Sequence, residues 1–220
     1  MRNKKVILFD LDGTLSDPKV GITKSVQYAL QKMSISVNDL TKLEIFIGPP
    51  LQDSFSEEYG FNEKEVKRAI ELYRERFVEK GMFENHLYPG IQQLLERLKT
   101  NNKLIVIATS KPTLFAEKIV DYFQIDPYFD LIVGSNLDGS RISKTEIIKY
   151  AMDQYPEYEN EQFLMIGDRK HDVIGANNNQ ISSIGVTFGY GTYEELSEYT
   201  STTIVHSVGE LEECLLAGAR

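Results

Sequence analysis

The sequence predicts an α/β fold in which a doubly wound parallel sheet carries an inserted α-helical segment. Short apolar runs alternate with amphipathic helical patterns along most of the chain, which is typical of a parallel sheet covered by helices on both faces. This alternation is interrupted between residues 17 and 85, where helical periods occur without a convincing strand. A chain of 220 residues with 41% hydrophobic content is long enough to bury one core and a smaller insert.

Five apolar runs are predicted to form the buried strands, because each is short and continuous. They are KVILF at 5–9, KLIVIA at 103–108, DLIVG at 130–134, QFLMIG at 162–167 and ISSIGV at 181–186. Helical patterns separate the later runs. In the first of these patterns Ile91, Leu94, Leu95 and Leu98 recur at helical spacing, which predicts a helix with one face on the sheet.

The domain boundaries follow from the interruption. Residues 1–15 and 86–220 are predicted to form the α/β core, and residues 16–85 the helical insert. The first helix of the insert is predicted to have Asp17 as its N-cap and Pro18 at its first helical position, because both residue types are favoured there.

Charge and composition exclude several classes of protein. A formal charge of −9 and a pI near 5.0 argue against a nucleic-acid partner, which needs clustered lysine and arginine. Cys214 is the only cysteine, so an internal disulfide is excluded. The N-terminus lacks a signal-peptide pattern and no apolar run approaches ~18 residues. We therefore expect a cytoplasmic protein without a membrane partner, either a monomer or a homodimer.

Polar side chains follow four of the predicted strands, at the edge where the carboxyl ends of parallel strands meet. They are Asp10 and Asp12, then Thr109 and Ser110, then Lys144, and finally Asp168 and Asp172. Buried carboxylates cost several kcal/mol each unless a cation compensates them. Mg²⁺ prefers carboxylate oxygens, waters and phosphate, so the sequence predicts a magnesium site with Asp10 and Asp168 as ligands.

A phosphoryl group is predicted to lie beside this cation. Lys144 and Thr109 are donors that could hold its oxygens and neutralise charge during transfer. Ser143 and Glu146 form a capping-box pattern, which puts Lys144 at the first position of a helix, where free backbone N–H groups favour anions. Lys111 is a competing choice for the phosphate lysine.

Four motifs together resemble the haloacid dehalogenase superfamily of phosphohydrolases. They are DLDGT at 10–14, Thr-Ser at 109–110 at a strand end, a lysine at 144 before a helix, and GD at 167–168 with an aspartate four residues further on. The motifs occur in the family's order, and the strand–helix alternation covers nearly the whole chain. The resemblance implies a Rossmann-like core and makes the helical insert a cap domain that closes over the substrate.

The resemblance also implies roles for the acidic residues. The first aspartate of the motif is the family's nucleophile, here Asp10. The second, here Asp12, is its general acid/base and lends the metal its backbone carbonyl. Asp168 then completes the metal ligands with Asp10 and Asp12. Asp172 is expected to contact the groups around the metal ligands without binding the metal itself, and so to orient the site or Lys144.

The remaining implied contacts concern phosphate and substrate. Thr109 corresponds to the family's threonine and Lys144 to its lysine, while Ser110 is expected to offer its backbone N–H. The turn that contains Gly48 and Pro49 is the candidate substrate-sensing loop of the cap, because it is rigid and lies between helices. A plain helix connection is the alternative for this turn.

The implied activity is Mg²⁺-dependent hydrolysis of a small phosphorylated metabolite through an aspartyl-phosphate. The chain is most similar to the phosphoglycolate-phosphatase-like branch, and the segments DPKVGITKSV, IGPPLQDSF and GDRKHDVIGA resemble bacterial members assigned as 5′-nucleotidases. The substrate is therefore expected to be a nucleoside 5′-monophosphate or phosphoglycolate.

Two other functions remain open from the sequence. A β-phosphoglucomutase-like phosphomutase would need cap cations for a second phosphate, but no lysine or arginine lies between Glu44 and Gly60. A phospho-accepting signalling or binding module also groups acids and a lysine on an α/β sheet. The helical insert and the paired aspartates at 10 and 12 count against such a module.

Two further segments receive only structural interpretations from the sequence. His171 is expected to be a solvated or capping histidine. GYGT at 189–192 is expected to be a plain turn, in which Thr192 and Glu195 form another capping box.

Overall fold

The computed structural model describes residues 3–199 and 203–217. Within it the chain divides into two compact units, one formed by Met1–Asp17 with Leu87–Arg220 and the other by Pro18–His86. The first unit holds the sheet, and the second is helical.

Eight strands occur in the described part of the chain. They are β1 Val6–Phe9, β2 Ser16–Asp17, β3 His86–Leu87, β4 Leu104–Pro112, β5 Leu131–Ser135, β6 Phe163–Gly167, β7 Ser182–Val186 and β8 Thr203–Val205. All except β2 and β3 belong to one parallel sheet with the order β5-β4-β1-β6-β7-β8. This topology confirms the predicted doubly wound α/β fold.

The helices connect these strands and build the second unit. They are α1 Lys19–Lys32, α2 Leu51–Tyr59, α3 Glu63–Glu79, α4 Ile91–Thr100, α5 Thr113–Tyr122, α6 Lys144–Asp153, α7 Lys170–Asn178, α8 Tyr193–Tyr199 and α9 Val208–Leu216. Short 3₁₀ helices lie at Leu40–Phe46, Gly81–Phe83, Asp126–Tyr128 and Asn160–Gln162. Among residues 3–199 and 203–217, no helix combines the length and apolar character that a bilayer crossing needs.

The core of the first unit explains why β1 is apolar throughout. Val6 and Leu8 pack with Ile147 and Ile148 of α6 in one buried cluster. Because side chains alternate across a strand, the residues between them point to the opposite face, and these are buried as well. A strand covered on both faces needs a continuous apolar sequence, which is the pattern observed.

The second unit packs its helices around aromatic side chains. Phe46 and Phe55 meet edge to face with ring centroids 4.8 Å apart, a favoured aromatic geometry. Helix α3 begins with a capping box in which the Asn62 side chain accepts from the backbone of Glu65, and the Glu65 carboxylate accepts from the backbone of Asn62. The cap satisfies N–H groups that the first helical turn leaves free.

Three details differ from the sequence-based predictions. Asp17 is not the N-cap of α1, because the helix starts at Lys19 with Pro18 as its N-cap and no side-chain cap; Asp17 belongs to β2. Strand β4 continues beyond residue 108 through an irregularity in its pairing. The last strand of the sheet, β8, was not predicted, because three residues give too short a period to recognise.

Candidate active site

The sheet topology brings three strand ends together. Strand β1 pairs with β4 on one side and with β6 on the other, so the chain reverses its direction of winding around β1. Phe9 is level with Ile107 and with Ile166. Asp10, which comes next, donates its backbone N–H to the Ile166 carbonyl at 2.9 Å. Its side chain therefore lies at the crevice where open α/β sheets bind ligands.

Lys144 links two of the buried carboxylates. Its Nζ lies 2.7 Å from Asp10 Oδ1 and 2.7 Å from Asp172 Oδ1, and it donates to the Ala108 carbonyl at 2.9 Å. The predicted capping box of α6 is present, with the Ser143 hydroxyl accepting from the backbone N–H three residues later. The helix start thus fixes the backbone from which Lys144 reaches the end of β1.

Burial and mutual charge shift the pKa values of this group. Burial raises the pKa of Asp172 to about 6, although Lys144 opposes the rise. The pKa of Asp168 stands well above its usual range because of burial, with Asp172 and Asp10 adding repulsion. For Lys144 burial lowers the pKa, but the two carboxylates outweigh it and the pKa is raised. Lys144 therefore stays charged, while the acids repel one another.

Asp168 is held by backbone and hydroxyl donors. Its Oδ2 accepts from the Tyr190 backbone N–H at 2.7 Å, and its Oδ1 accepts from the Thr14 hydroxyl at 3.5 Å. Gly13 has φ +82°, and a Cβ there would lie 2.2 Å from Asp168 Oδ2. Glycine is thus required both by the backbone conformation and by the close carboxylate.

Asp12 belongs to a separate ion pair. Its Oδ2 lies 2.8 Å from Lys111 Nζ, and its Oδ1 has no hydrogen-bond partner in the described part of the chain. Burial raises the pKa of Asp12, and the positive charge of Lys111 opposes this rise. Thr109, which is buried, accepts from the Lys111 backbone N–H at 3.3 Å. Ser110 is half-buried.

The structure brings most of the predicted site residues to one crevice, with one change in grouping. One oxygen from each of Asp10, Asp168 and Asp172 lies within 4.8 Å of the others, a set that could hold a metal ion. The Asp12 side chain is not part of this set. Asp172, predicted to stand behind the ligands, contributes an oxygen to it and also contacts Lys144. The roles of all these residues stay predictions.

Gly48 and Pro49 lie in the second unit, between a 3₁₀ helix and α2. Their predicted contact with substrate therefore stays a prediction. His171 is half-buried, and burial, followed by Arg169 and Lys170, lowers its pKa. A histidine in these surroundings favours the neutral form.

The segment GYGT at 189–192 is not a plain turn, and sequence reasoning missed its part in the site. Tyr190 donates to Asp168 through its backbone and to Asp17 through its hydroxyl. Thr192 does accept from the backbone N–H of Glu195 at 3.2 Å. The Glu195 carboxylate, however, accepts from the Lys170 backbone N–H at 2.8 Å and from Arg169 Nε at 3.0 Å. The available signal in the sequence was that GYGT follows β7 closely, because segments at the carboxyl ends of parallel strands lie at the edge where ligands bind.

The chain is similar to known hydrolases over most of its length. The sequence profile of the haloacid dehalogenase-like hydrolases matches residues 7–186. A 5′-nucleotidase of Pseudomonas aeruginosa is 45% identical over 209 residues, which cover 95% of this chain and 94% of that protein.

Solved structures extend the comparison. A crystal structure described as a predicted phosphatase from Clostridium acetobutylicum has a TM-score of 0.94 and 50% identity, covering 97% of this chain and 99% of the other. The tyrosine-protein kinase PtkA of Mycobacterium tuberculosis has a TM-score of 0.83 and 34% identity, covering 96% and 98%. The enzyme class predicted from the sequence, a phosphatase, is confirmed. The chain belongs to the haloacid dehalogenase-like hydrolase family.

Proposed function

We propose that this phosphatase hydrolyses small phosphomonoesters with Mg²⁺ through an aspartyl-phosphate on Asp10, and that its substrate is a nucleoside 5′-monophosphate. One observation carries the proposal. The crevice holds two carboxylates with separate lysine partners, Asp10 with Lys144 and Asp12 with Lys111. A nucleophile and a proton carrier need separate surroundings, and burial raises the pKa of Asp12 despite Lys111, which favours the acid form that a proton carrier starts from.

The donor set fits a divalent cation. Four buried carboxylates face two buried ammonium groups, and this leaves two negative charges when all are ionised. They are Asp10, Asp12, Asp168 and Asp172 against Lys111 and Lys144. Burial is the main cause of the raised pKa values of Asp168 and Asp172, and repulsion from neighbouring carboxylates adds to the rise. Asp10, Asp168 and Asp172 offer the oxygens that would hold Mg²⁺, and the Asp12 backbone carbonyl would add another.

Bound Mg²⁺ supplies positive charge beside the phosphoryl oxygens. In the first half-reaction the Asp10 carboxylate forms a bond to phosphorus while the bond from phosphorus to the ester oxygen breaks. Asp12, protonated at the start, gives its proton to that oxygen, so the alcohol leaves neutral. The raised pKa of Asp12, caused by burial, favours the acid form that this step uses.

In the second half-reaction Asp12, now ionised, takes a proton from water. The water oxygen bonds to phosphorus, the acyl-phosphate bond breaks, and Asp10 and inorganic phosphate are released. Splitting the reaction in this way replaces one difficult step with two easier ones. Thr109 and the Ser110 backbone N–H are the proposed donors to the phosphoryl oxygens.

Lys144 needs a rearrangement to join these donors. An ammonium group has three hydrogens, and the three groups beside its Nζ are Asp10, Asp172 and the Ala108 carbonyl. We therefore propose that the main role of Lys144 is to orient the Asp10 carboxylate. A direct contact with phosphate would replace one of these three partners.

The substrate class rests on the relative named a 5′-nucleotidase, at 45% identity across 95% of this chain. The loop with Gly48 and Pro49 is the proposed substrate-sensing element. Phosphoglycolate is the alternative substrate that the sequence resemblance implies.

The test is a phosphate-release assay with Mg²⁺ on nucleoside monophosphates, phosphoglycolate, sugar phosphates and pyrophosphate. We expect the highest kcat/KM with a nucleoside 5′-monophosphate. Asp10→Asn should lower kcat by at least about 10³-fold, as loss of a nucleophile does. Asp153→Asn, at an exposed acid on α6, is the matched control and should keep full activity. Full turnover by Asp10→Asn would exclude the covalent route.

The intermediate has its own test. Borohydride reduces an acyl phosphate to an alcohol, so quenching turnover with borohydride should convert the Asp10 side chain to a primary alcohol, detected by peptide mass. Conversion of a hexose 1-phosphate to its 6-phosphate without phosphate release would instead identify a mutase. A stable phosphoryl group on Asp10 without turnover would identify a phospho-accepting module.

A further inference from the structure

A loop after β7, residues 188–191, lies against the Asp168 carboxylate. A Cβ on Gly189 would lie 2.5 Å from Asp168 Oδ2 and 2.2 Å from the Gly13 carbonyl oxygen. A Cβ on Gly191 would lie 1.8 Å from the Asp168 carbonyl oxygen. Real Cβ atoms do not approach so closely, so both glycines are needed for this contact. Between them, the Tyr190 backbone N–H donates to Asp168 Oδ2 at 2.7 Å.

The same loop contacts the two segments of the first unit where the chain leaves that unit and where it returns to it. The Tyr190 hydroxyl donates to Asp17 Oδ1, and Asp17 is the last residue of that unit before the chain leaves it. Phe188 meets Tyr88 edge to face, with centroids 5.2 Å apart, and Tyr88 is the second residue after the chain returns. Tyr88 in turn donates its backbone N–H to the Leu15 carbonyl at 3.1 Å.

These contacts form a chain of support for Asp168. The backbone donor at residue 190 can hold Oδ2 only while the loop keeps its position. Two glycines make the loop flexible by themselves, so its position depends on the side chains that anchor it. The Tyr190 hydroxyl is one such anchor, and its acceptor Asp17 lies in β2 and is not one of the three clustered carboxylates Asp10, Asp168 and Asp172.

We propose that Tyr190 is a positioning residue: its hydroxyl, bound to Asp17, fixes loop 188–191 and thereby holds the Asp168 carboxylate in the orientation that binds Mg²⁺. This proposal rests on the proposed function for the identity of the ion. Groups that orient a metal-binding carboxylate commonly change metal affinity by about 10–100-fold when they are removed. The hydroxyl acts through the loop, so we expect a loss near the lower end, about tenfold.

The test measures Mg²⁺ binding to the full chain by isothermal titration calorimetry without substrate. Tyr190→Phe should weaken Mg²⁺ binding about tenfold. Tyr193→Phe is the matched control, because that tyrosine lies three residues away, is 54% exposed and stacks on His206 with a ring that phenylalanine retains. It should leave the Kd unchanged. An unchanged Kd in Tyr190→Phe, or equal losses in both variants, would overturn the proposal.

The role of the pair is tested by a double-mutant cycle. Asp17→Ala should weaken binding at least as much as Tyr190→Phe, and the double variant should bind no more weakly than Asp17→Ala alone, because both variants remove the same contact. Independent, additive losses would contradict the proposal. Asp17→Asn keeps an acceptor oxygen and the size of the side chain, so it should bind Mg²⁺ more tightly than Asp17→Ala, even if the latter folds poorly.

A measurement without metal separates this proposal from the proposed function. Hydrogen exchange of the backbone amide at residue 190 should be faster in metal-free Tyr190→Phe than in the parent chain, and unchanged in Tyr193→Phe. Unchanged exchange would overturn the positioning role even if the enzyme is a phosphatase. Faster exchange with weaker Mg²⁺ binding, in a chain that releases no phosphate, would support the positioning role and refute the proposed activity.

Discussion

Replacing Lys144 by methionine tests the buried charge arrangement most directly. Lys144, Asp10 and Asp172 have side chains no more than 3% exposed, with two nitrogen–oxygen distances of 2.7 Å. Removing one partner of a buried ion pair costs about 3–5 kcal/mol, because a charge is left uncompensated. The remaining carboxylate oxygens lie within 4.8 Å, where two unit charges repel by about 3.5 kcal/mol at an effective dielectric constant of about 20. We therefore expect Lys144→Met to lower the unfolding free energy by about 3–5 kcal/mol at pH 8.

The loss should depend on pH in a stated direction. Burial raises the pKa of Asp172 to about 6 in the folded chain, above its unfolded value of about 3.9. An acid with a raised folded pKa binds its proton more tightly when folded, so stability falls as pH rises between these two values. Removal of Lys144 takes away the charge that lowers this pKa. The destabilisation should therefore be smaller at pH 5 than at pH 8.

The assay is urea-induced unfolding in EDTA. The chain contains no tryptophan, so far-UV circular dichroism provides the signal. Lys149→Met is the control: Lys149 lies on the same helix and pairs with Asp153, but the two side chains are 61% and 54% exposed. Exposed pairs contribute at most about 1 kcal/mol. Equal losses in the two variants, or a larger loss at pH 5 than at pH 8, would refute the reasoning.

Two further substitutions test neighbouring parts of the site. Lys111→Met removes the cation that opposes the raised pKa of Asp12. The alkaline limb of the profile of kcat/KM against pH should therefore move to higher pH. An unmoved limb would show that Asp12 is not the group whose deprotonation causes it. Gly13→Ala should destabilise the chain by more than the strain of about 1–2 kcal/mol for a left-handed residue, since its Cβ would lie 2.2 Å from a carboxylate oxygen. Gly139→Ala is the control, because Gly139 has φ +89° and a Cβ there would meet no atom within 4 Å. In urea unfolding, its loss of unfolding free energy should reflect the backbone strain alone. Equal losses at the two glycines would contradict the close contact.

Much of the fold was predictable because it depends on local apolar pattern. Runs such as residues 5–9 are apolar throughout, and a strand buried on both faces requires that. The candidate site was predictable for a related reason: carboxylates directly after a buried strand, as at Asp10 and Asp168, are costly unless they meet a cation or a lysine. The capping box at Ser143 and Glu146 is likewise local, since its partners are three residues apart.

The parts that could not be predicted depend on contacts between distant segments. Nothing near Tyr190 in sequence indicates that its backbone N–H reaches Asp168 or that its hydroxyl reaches Asp17, which is 173 positions away. Asp17 followed by proline has the local pattern of an N-cap, yet its carboxylate serves this distant hydroxyl. The glycines in GYGT are the usual signal of a turn, and they also permit a close approach to Asp168 that only the folded chain reveals.

The choice between Lys111 and Lys144 shows why geometry was needed. Both lysines follow apolar strands, and the sequence offered them as competitors for one role. In the structure β4 continues through residues 109–112, which carries Lys111 to Asp12, while Lys144 reaches Asp10 from the first position of α6. The two lysines therefore serve different acids. Losing Lys144 should disturb the proposed nucleophile and stability, whereas losing Lys111 should disturb the proposed proton carrier, and this division follows from the two distances rather than from the motif.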